Sequence, residues 1–187
     1  MKLIRNIKDH IRLWFLKRAL KELKRTKKTF GYNQANTFGI MYDASTEENY
    51  RQIASLVKEL QNDKKKVKTL GFFNMKDLPE YCFPQLSFEF CNAGNFAWNQ
   101  KPKDKAVLDF IDSQYDVIID LTPSDFFHIK YLMAISDASF KVGRFHEKYV
   151  DLYDLMIQID DSTSQEETIK QTMFYLKMIN NVKSVQS

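Results

Sequence analysis

Tyr115-Asp116-Val117-Ile118-Ile119-Asp120-Leu121 decides how this chain folds. Its centre is an unbroken run of β-branched apolar residues. That pattern suits a strand buried on both faces, of the kind found in parallel sheets covered by helices. Thr122 and Pro123 follow, residue types suited to the N-cap and first turn of a helix, with Asp125 at the positive end of its dipole. Phe126, Phe127, Ile129, Tyr131, Leu132, Met133 and Ile135 supply that helix, and Phe140 to Arg144 reads as the next strand.

Upstream, Thr37 to Tyr42 reads as a strand ending at Asp43, and Ser45 with Glu48 forms a capping box. Tyr50, Ile53, Ala54, Val57 and Leu60 recur at helical spacing. Lys64-Lys65-Lys66 closes that helix, where cations complement the dipole, and Val67 to Phe73 is a second strand. A strand-helix-strand unit of this kind is the signature of a parallel sheet. Phe83 to Cys91 holds a short strand with Pro84 at its start or at a sheet edge, and residues 92–95 are turn chemistry. Pro102 is expected to open a helix carrying Ala106, Val107, Phe110 and Ile111. Leu155 to Ile159 is the last strand. Ser164 with Glu167 caps a final helix whose Ile169, Met173, Leu176 and Ile179 face the core, and the tail after Asn181 should fray. The alternation predicts an α/β three-layer sandwich, Rossmann-like or flavodoxin-like, with five or six mostly parallel strands behind a basic amphipathic N-terminal helix.

Charge divides the chain in two. Residues 1–28 hold eleven Lys and Arg against Asp9 and Glu22, whereas the rest carries seventeen basic and twenty-two acidic side chains. The sequence therefore suggests a basic helical arm, 1–28, and a single α/β domain, 29–187. Such asymmetry points to a polyanionic partner, either RNA or an anionic membrane surface. In the arm, Leu3, Ile4, Ile7, Ile11, Trp14 and Phe15 share one face, while Leu16, Ala19, Leu20 and Leu23 fall about 150° away by the 3.6-residue period. No Gly or Pro breaks the helix there, so the second half is expected to dock on the body while the first half reaches a partner. An amphipathic helix folded onto its own domain, with solvated charges, is the plainer alternative. Charges interrupt any signal-peptide core, and no window reaches the roughly 20 apolar residues of a membrane span. Cys82 and Cys91, without a signal peptide, suggest reduced thiols in the cytoplasm, acting as small hydrophobes.

Ligands of open α/β sheets bind at the carboxyl ends of the strands. Those ends offer Asp43, Ser45, Asn74, Asp120, Thr122 and Arg144, of which Asp43, Asp120, Thr122 and Arg144 form the candidate pocket. Each also has an ordinary reading as a cap or a ligand of loop amides. Glycines stand singly at 31, 39, 71, 94 and 143, so no phosphate-binding glycine loop follows any strand. Glu47 and Glu48 occupy the place where an anion would sit after the first strand, which disfavours a dinucleotide, and no cofactor is expected. His10, His128 and His146 show no metal-ligand spacing with the cysteines. His10 reads as part of the basic face, His128 as helix surface, and His146 as part of a basic patch with Arg144 and Lys148. The aromatics between Tyr81 and Trp98 are suited to stacking on bases, or to the core.

The basic N-terminal helix, Phe96-Ala97-Trp98 with Lys101-Pro102, Tyr115 to Asp120, and Phe140-Lys141-Val142-Gly143-Arg144 together resemble a family of Bacteroidota proteins known only as a domain of unknown function. The likeness covers nearly the whole chain and brings no activity with it. Residues 115–144 also look like the N-terminal half of heptosyltransferase-type GT-B glycosyltransferases. In those enzymes a second Rossmann-like domain largely holds the donor nucleotide, and this chain ends where that domain would begin.

The leading expectation is a non-enzymatic RNA-docking protein, associated with the ribosome. Lys2, Arg5, Lys8, Arg12, Lys17, Arg18, Lys21, Lys24, Arg25, Lys27 and Lys28 would meet phosphates, and Trp14 and Phe15 would anchor on RNA or a neighbouring protein. The alternatives are a peripheral membrane protein held by the same helix, or a small glycosyltransferase-like enzyme.

Overall fold

The computed structural model describes residues 2–75, 77–82, 85–123 and 125–183 and, in the first and last helices, the side chains of residues 10–22 and 165–179. Six strands form one sheet: β1 (Thr37–Asp43), β2 (Lys66–Phe72), β3 (Phe88–Cys91), β4 (Val117–Asp120), β5 (Phe140–Arg144) and β6 (Leu155–Ile157). Every pairing is parallel and the spatial order is β3-β2-β1-β4-β5-β6. This is the doubly wound Rossmann order, which reverses between β1 and β4, rather than the flavodoxin order. The apolar run at 117–119 forms the middle of the sheet, with every residue of β4 buried.

Among the described residues, five α-helices cover the two faces: α1 (Lys2–Glu22), α2 (Glu47–Asn62), α3 (Lys105–Ile111), α4 (Phe127–Ile135) and α5 (Gln165–Lys183). Alternation along the strands sends Phe38, Ile40, Tyr42, Val117 and Ile119 into a core shared with α2 and α5. Met41, Leu70 and Ile118 enter a second core with α3, α4 and α1. Helix α4 is apolar almost all round, FHIKYLMAI, and such a helix must be covered on every side. The sheet covers one side and α1 the other. Leu16 and Ala19 of α1 are buried there, and full burial of a leucine contributes roughly 1.5–3 kcal/mol.

Helix α1 runs unbroken through Leu16, and its second half packs on the body as the jump in its apolar stripe suggests. Several boundaries differ from the sequence pattern, each for a local reason. After β1, the Ser45 N–H donates to Asp43 Oδ1 (2.9 Å), so the cap passes from Ser45 to Thr46, whose Oγ1 accepts from Asn49 N (3.2 Å). Lys64-Lys65-Lys66 lies beyond α2. Lys64 takes the left-handed place (φ 60°) while its N–H and that of Lys65 bond the carbonyls of Gln61 and Leu60, a Schellman ending. Pro102 bridges Phe96 instead of opening α3, which Asp104 caps through Ala106 N and Val107 N. Thr122 does not cap α4, which begins only at Phe127 with no side-chain cap. The last strand stops at Ile157, and α5 runs past Asn181 to Lys183. Before α5, Ser164 Oγ accepts from Glu167 N (3.3 Å), as its half of a capping box requires. Pro84 and the chain beyond Lys183 lie outside the described residues.

Candidate functional site

The carboxyl ends of β1 and β4 flank the point where strand order reverses, the usual ligand crevice of this topology. Among the described residues, the chain packs closely just after β1. Ala44, just after β1, is fully buried, its carbonyl accepts from the Tyr81 hydroxyl (3.1 Å), and its Cβ touches the space above Gly71. Glu47 and Glu48 begin α2 beside it.

Asp120, at the end of β4, sits in a buried polar quartet. Its Oδ2 accepts from Lys130 Nζ (2.7 Å) and Tyr153 Oη (2.6 Å), and its Oδ1 accepts from the backbone N–H (2.9 Å) and hydroxyl (2.6 Å) of Thr122. Lys130 Nζ also donates to Thr122 Oγ1 (3.0 Å). Burial first, and then the Asp120 carboxylate, push the Tyr153 phenol well above its ordinary pKa. The quartet is closed: each carboxylate oxygen has two donors, and all four side chains are buried. It clamps β4, α4 and the segment before β6 together.

Of the candidate pocket, only Asp120 and Thr122 come together. Asp43 serves its own turn through Ser45. Arg144 points to the opposite face of the sheet, where it donates to Thr168 Oγ1 (2.8 Å) and the Asp160 carbonyl. Lys130 and Tyr153, which complete the quartet, have a faint sequence signal. Lys130 is the only Lys, Arg, Asp or Glu in an otherwise apolar helix, and a charge so placed must find a buried partner.

The basic residues of segment 1–28 divide similarly, although α1 ends at Glu22 and residues 23–28 continue outside the helix expected there. Lys17, Arg18, Lys21, Lys24, Lys27 and Lys28 are exposed, and Arg12 is half-buried with its guanidinium 5.7 Å from the Phe127 ring. Arg25 belongs to the body: it grips both oxygens of Asp154 (2.6 and 2.7 Å) and the carbonyls of Ala138 and Ser139. The side chains of Lys2, Arg5 and Lys8 lie outside the described residues.

Trp14 and Phe15 meet a residue from far along the chain. The Phe15 ring stands edge-on to Trp14 (5.0 Å between centroids) and to Trp98 (5.8 Å). Trp14 is 55% and Trp98 83% exposed, so both tryptophans of the chain present their rings to solvent. Arg18 lies 5.7 Å from the Trp14 ring, and a cleft of about 520 Å³ beside the cluster is lined by Phe15, Arg18, Asn99, Lys101 and Tyr131. His128 is not helix surface. It stacks on Phe96 (4.5 Å), and burial, helped by Arg12, lowers its pKa to about 4, so it is neutral at pH 7. His146 caps a short turn by accepting from Lys148 N (3.1 Å). Cys82 and Cys91 are buried free thiols. No helix among the described residues is long and apolar enough to cross a membrane.

No curated protein and no solved structure matches the chain. Residues 8–179, which span the sheet, the quartet and the aromatic cluster, match the model of DUF6913, and the chain belongs to this family of unknown function.

Proposed function

We propose that this is a non-enzymatic cytoplasmic protein that docks on structured RNA, the ribosome foremost, through the outer side of α1 together with Trp98. The observation that carries the reading is the exposed Trp14–Phe15–Trp98 cluster, flanked by Arg18 and Lys101. Aromatic rings in water beside cations are a platform for unstacked bases, such as those in loops and bulges of a folded RNA. The exposed lysines of α1 supply phosphate contacts, whose strength falls with salt. The fully engaged Asp120 carboxylate and the close packing after β1 support a reading of the α/β body as a scaffold for this surface.

Because Trp14 and Trp98 are the two tryptophans of the chain, intrinsic fluorescence reads the proposed surface directly. Titration with a ribosomal stem-loop should quench it, with an affinity that drops steeply between low and moderate salt. Trp14→Ala and Trp98→Ala should each weaken binding by roughly 1–3 kcal/mol. Substitution is the cleaner test than removal of residues 1–28, which would also strip Leu16, Ala19 and Arg25 from the body. No response to RNA would overturn the reading. A blue shift with anionic vesicles in place of RNA would transfer the surface to membranes.

A further inference from the structure

Helix α1 lies along α4 with a cleft on each flank, and the flank away from Phe15 is of a different kind. There Lys17, Lys21, Arg25 and Lys27 face Lys141 of β5 and the segment 150–153 across a cleft of about 680 Å³. Asp151 is the one carboxylate among the lining residues. Volume and mixed lining fall within the range of small-molecule sites, roughly 300–1,000 Å³.

Basic side chains outnumber carboxylates in and behind this cleft. Asp154 is shared by Arg25, by Lys27 (3.4 Å) and by the backbone N–H of Lys141 (2.9 Å). The Lys141 ammonium, on a residue only 1% exposed, donates to the Met133 carbonyl at the end of α4. Behind the cleft one buried carboxylate, Asp154, thus serves both Arg25 and the backbone of Lys141, and Lys17 and Lys21 add positive charge at the mouth. Taking an ammonium out of water is costly without a counter-charge, and an incoming anion would supply it. Leu20, Leu23 and Val150 give the same cleft an apolar wall for an organic group.

We infer that this cleft binds a phosphate-bearing ligand, held by Lys17, Lys21, Lys27 and Lys141. The cleft lies on the flank of α1 away from the aromatic cluster, and it shares Lys17 and Lys21 with the exposed lysines that the RNA reading uses. Its shared chemistry is a clustered phosphate, carried either by a free phosphorylated metabolite or by a nucleic-acid end.

Inorganic pyrophosphate is the probe, titrated calorimetrically into the full-length protein at low salt. Saturable binding at one site per chain is expected. Lys17→Gln with Lys21→Gln should weaken it roughly tenfold or more, since both would otherwise make charge-assisted hydrogen bonds to phosphate. Lys24→Gln, just beyond the end of α1 and outside the lining, should leave it within twofold, and the exposed positions of all three lysines preserve the fold. Absence of saturable heat, or an equal loss in Lys24→Gln, would overturn the site. Competition between pyrophosphate and a 5′-phosphorylated oligonucleotide assigns the phosphate to a nucleic-acid end. Simultaneous binding assigns it to a free metabolite, and either result upholds the site.

Discussion

The ring of Tyr153 occupies the space in which a side chain at Gly143 would begin. A β-carbon placed on Gly143 would stand 2.3 Å from Tyr153 Cε1, and the phenol held there donates to Asp120 Oδ2 at 2.6 Å. One missing methyl group in β5 therefore lets the quartet close.

Gly143→Ala should consequently act through Tyr153. Its ring is buried and rigid, so it must move as a unit, and overpacking of this kind costs about 1–3 kcal/mol. Urea denaturation of the variant measures this loss. A second variant, Gly143→Ala with Tyr153→Phe, tests whether the hydroxyl contact to Asp120 is what suffers. A cost for Gly143→Ala of under ~0.5 kcal/mol would show that the ring has room to shift.

Lys130→Met should be more severe, because it strands the Asp120 carboxylate in the interior. Removing one partner of a buried ion pair typically costs about 3–5 kcal/mol. Adding Asp120→Asn to Lys130→Met removes the orphaned charge and should recover part of that loss. The denaturation midpoints of the single and double variants give the coupling. Additivity of the two substitutions would contradict direct pairing.

Lys141 predicts a pH dependence. Burial first, then Arg25, lowers its pKa to about 7, with Lys27 adding a smaller push and Asp154 and Asp137 acting the other way. The unfolded chain holds this proton up to its ordinary pKa near 10.4, so between about pH 7 and pH 10 it binds more protons than the folded chain. Stability should rise with pH across that window, and the penalty should be fully present below pH 7. The difference in unfolding free energy between wild type and Lys141→Met isolates this group. It should move in favour of the wild type from pH 7 to pH 10, and a flat difference would remove the assignment.

The thiols should be inert in the folded state. Burial raises the pKa of Cys82 to about 11 and that of Cys91 further still. The reactive thiolate is therefore scarce at pH 8, and both side chains are covered. An aromatic disulfide reagent should label neither in native buffer and both in denaturant. Rapid native labelling of Cys82 would indicate that the segment around it opens.

What the sequence made legible was local. The apolar run at 117–119 and the helical spacing from Tyr50 to Leu60 carry their burial on their face, so strands, helices and three-layer architecture could be read. The starts of α2 and α4 could not, because side chains competed for the same donors: Asp43 took the Ser45 amide, and Asp120 took Thr122 away from α4. Contacts over long separations left no trace either. Arg25 looks like one more cation of the arm until Asp154 is placed beside it, and Trp98 looks like a loop aromatic until Phe15 meets it. Lys130 and Lys141 were the missed signals. A single charge inside an apolar helix and another inside a buried strand both announce interior chemistry.

The clasp between Arg25 and Asp154 also has a meaning in time. A ribosome makes Arg25 early and Asp154 late, and domains in general close only once their distant contacts exist. The strand β1 likewise waits for β4 to fill its second edge. Arg25, just after α1, can therefore be clasped to the body only once the chain has been made through Asp154. Until then Arg25 lacks the carboxylate that holds it in the folded domain, so the order of synthesis delays the closing of this clasp.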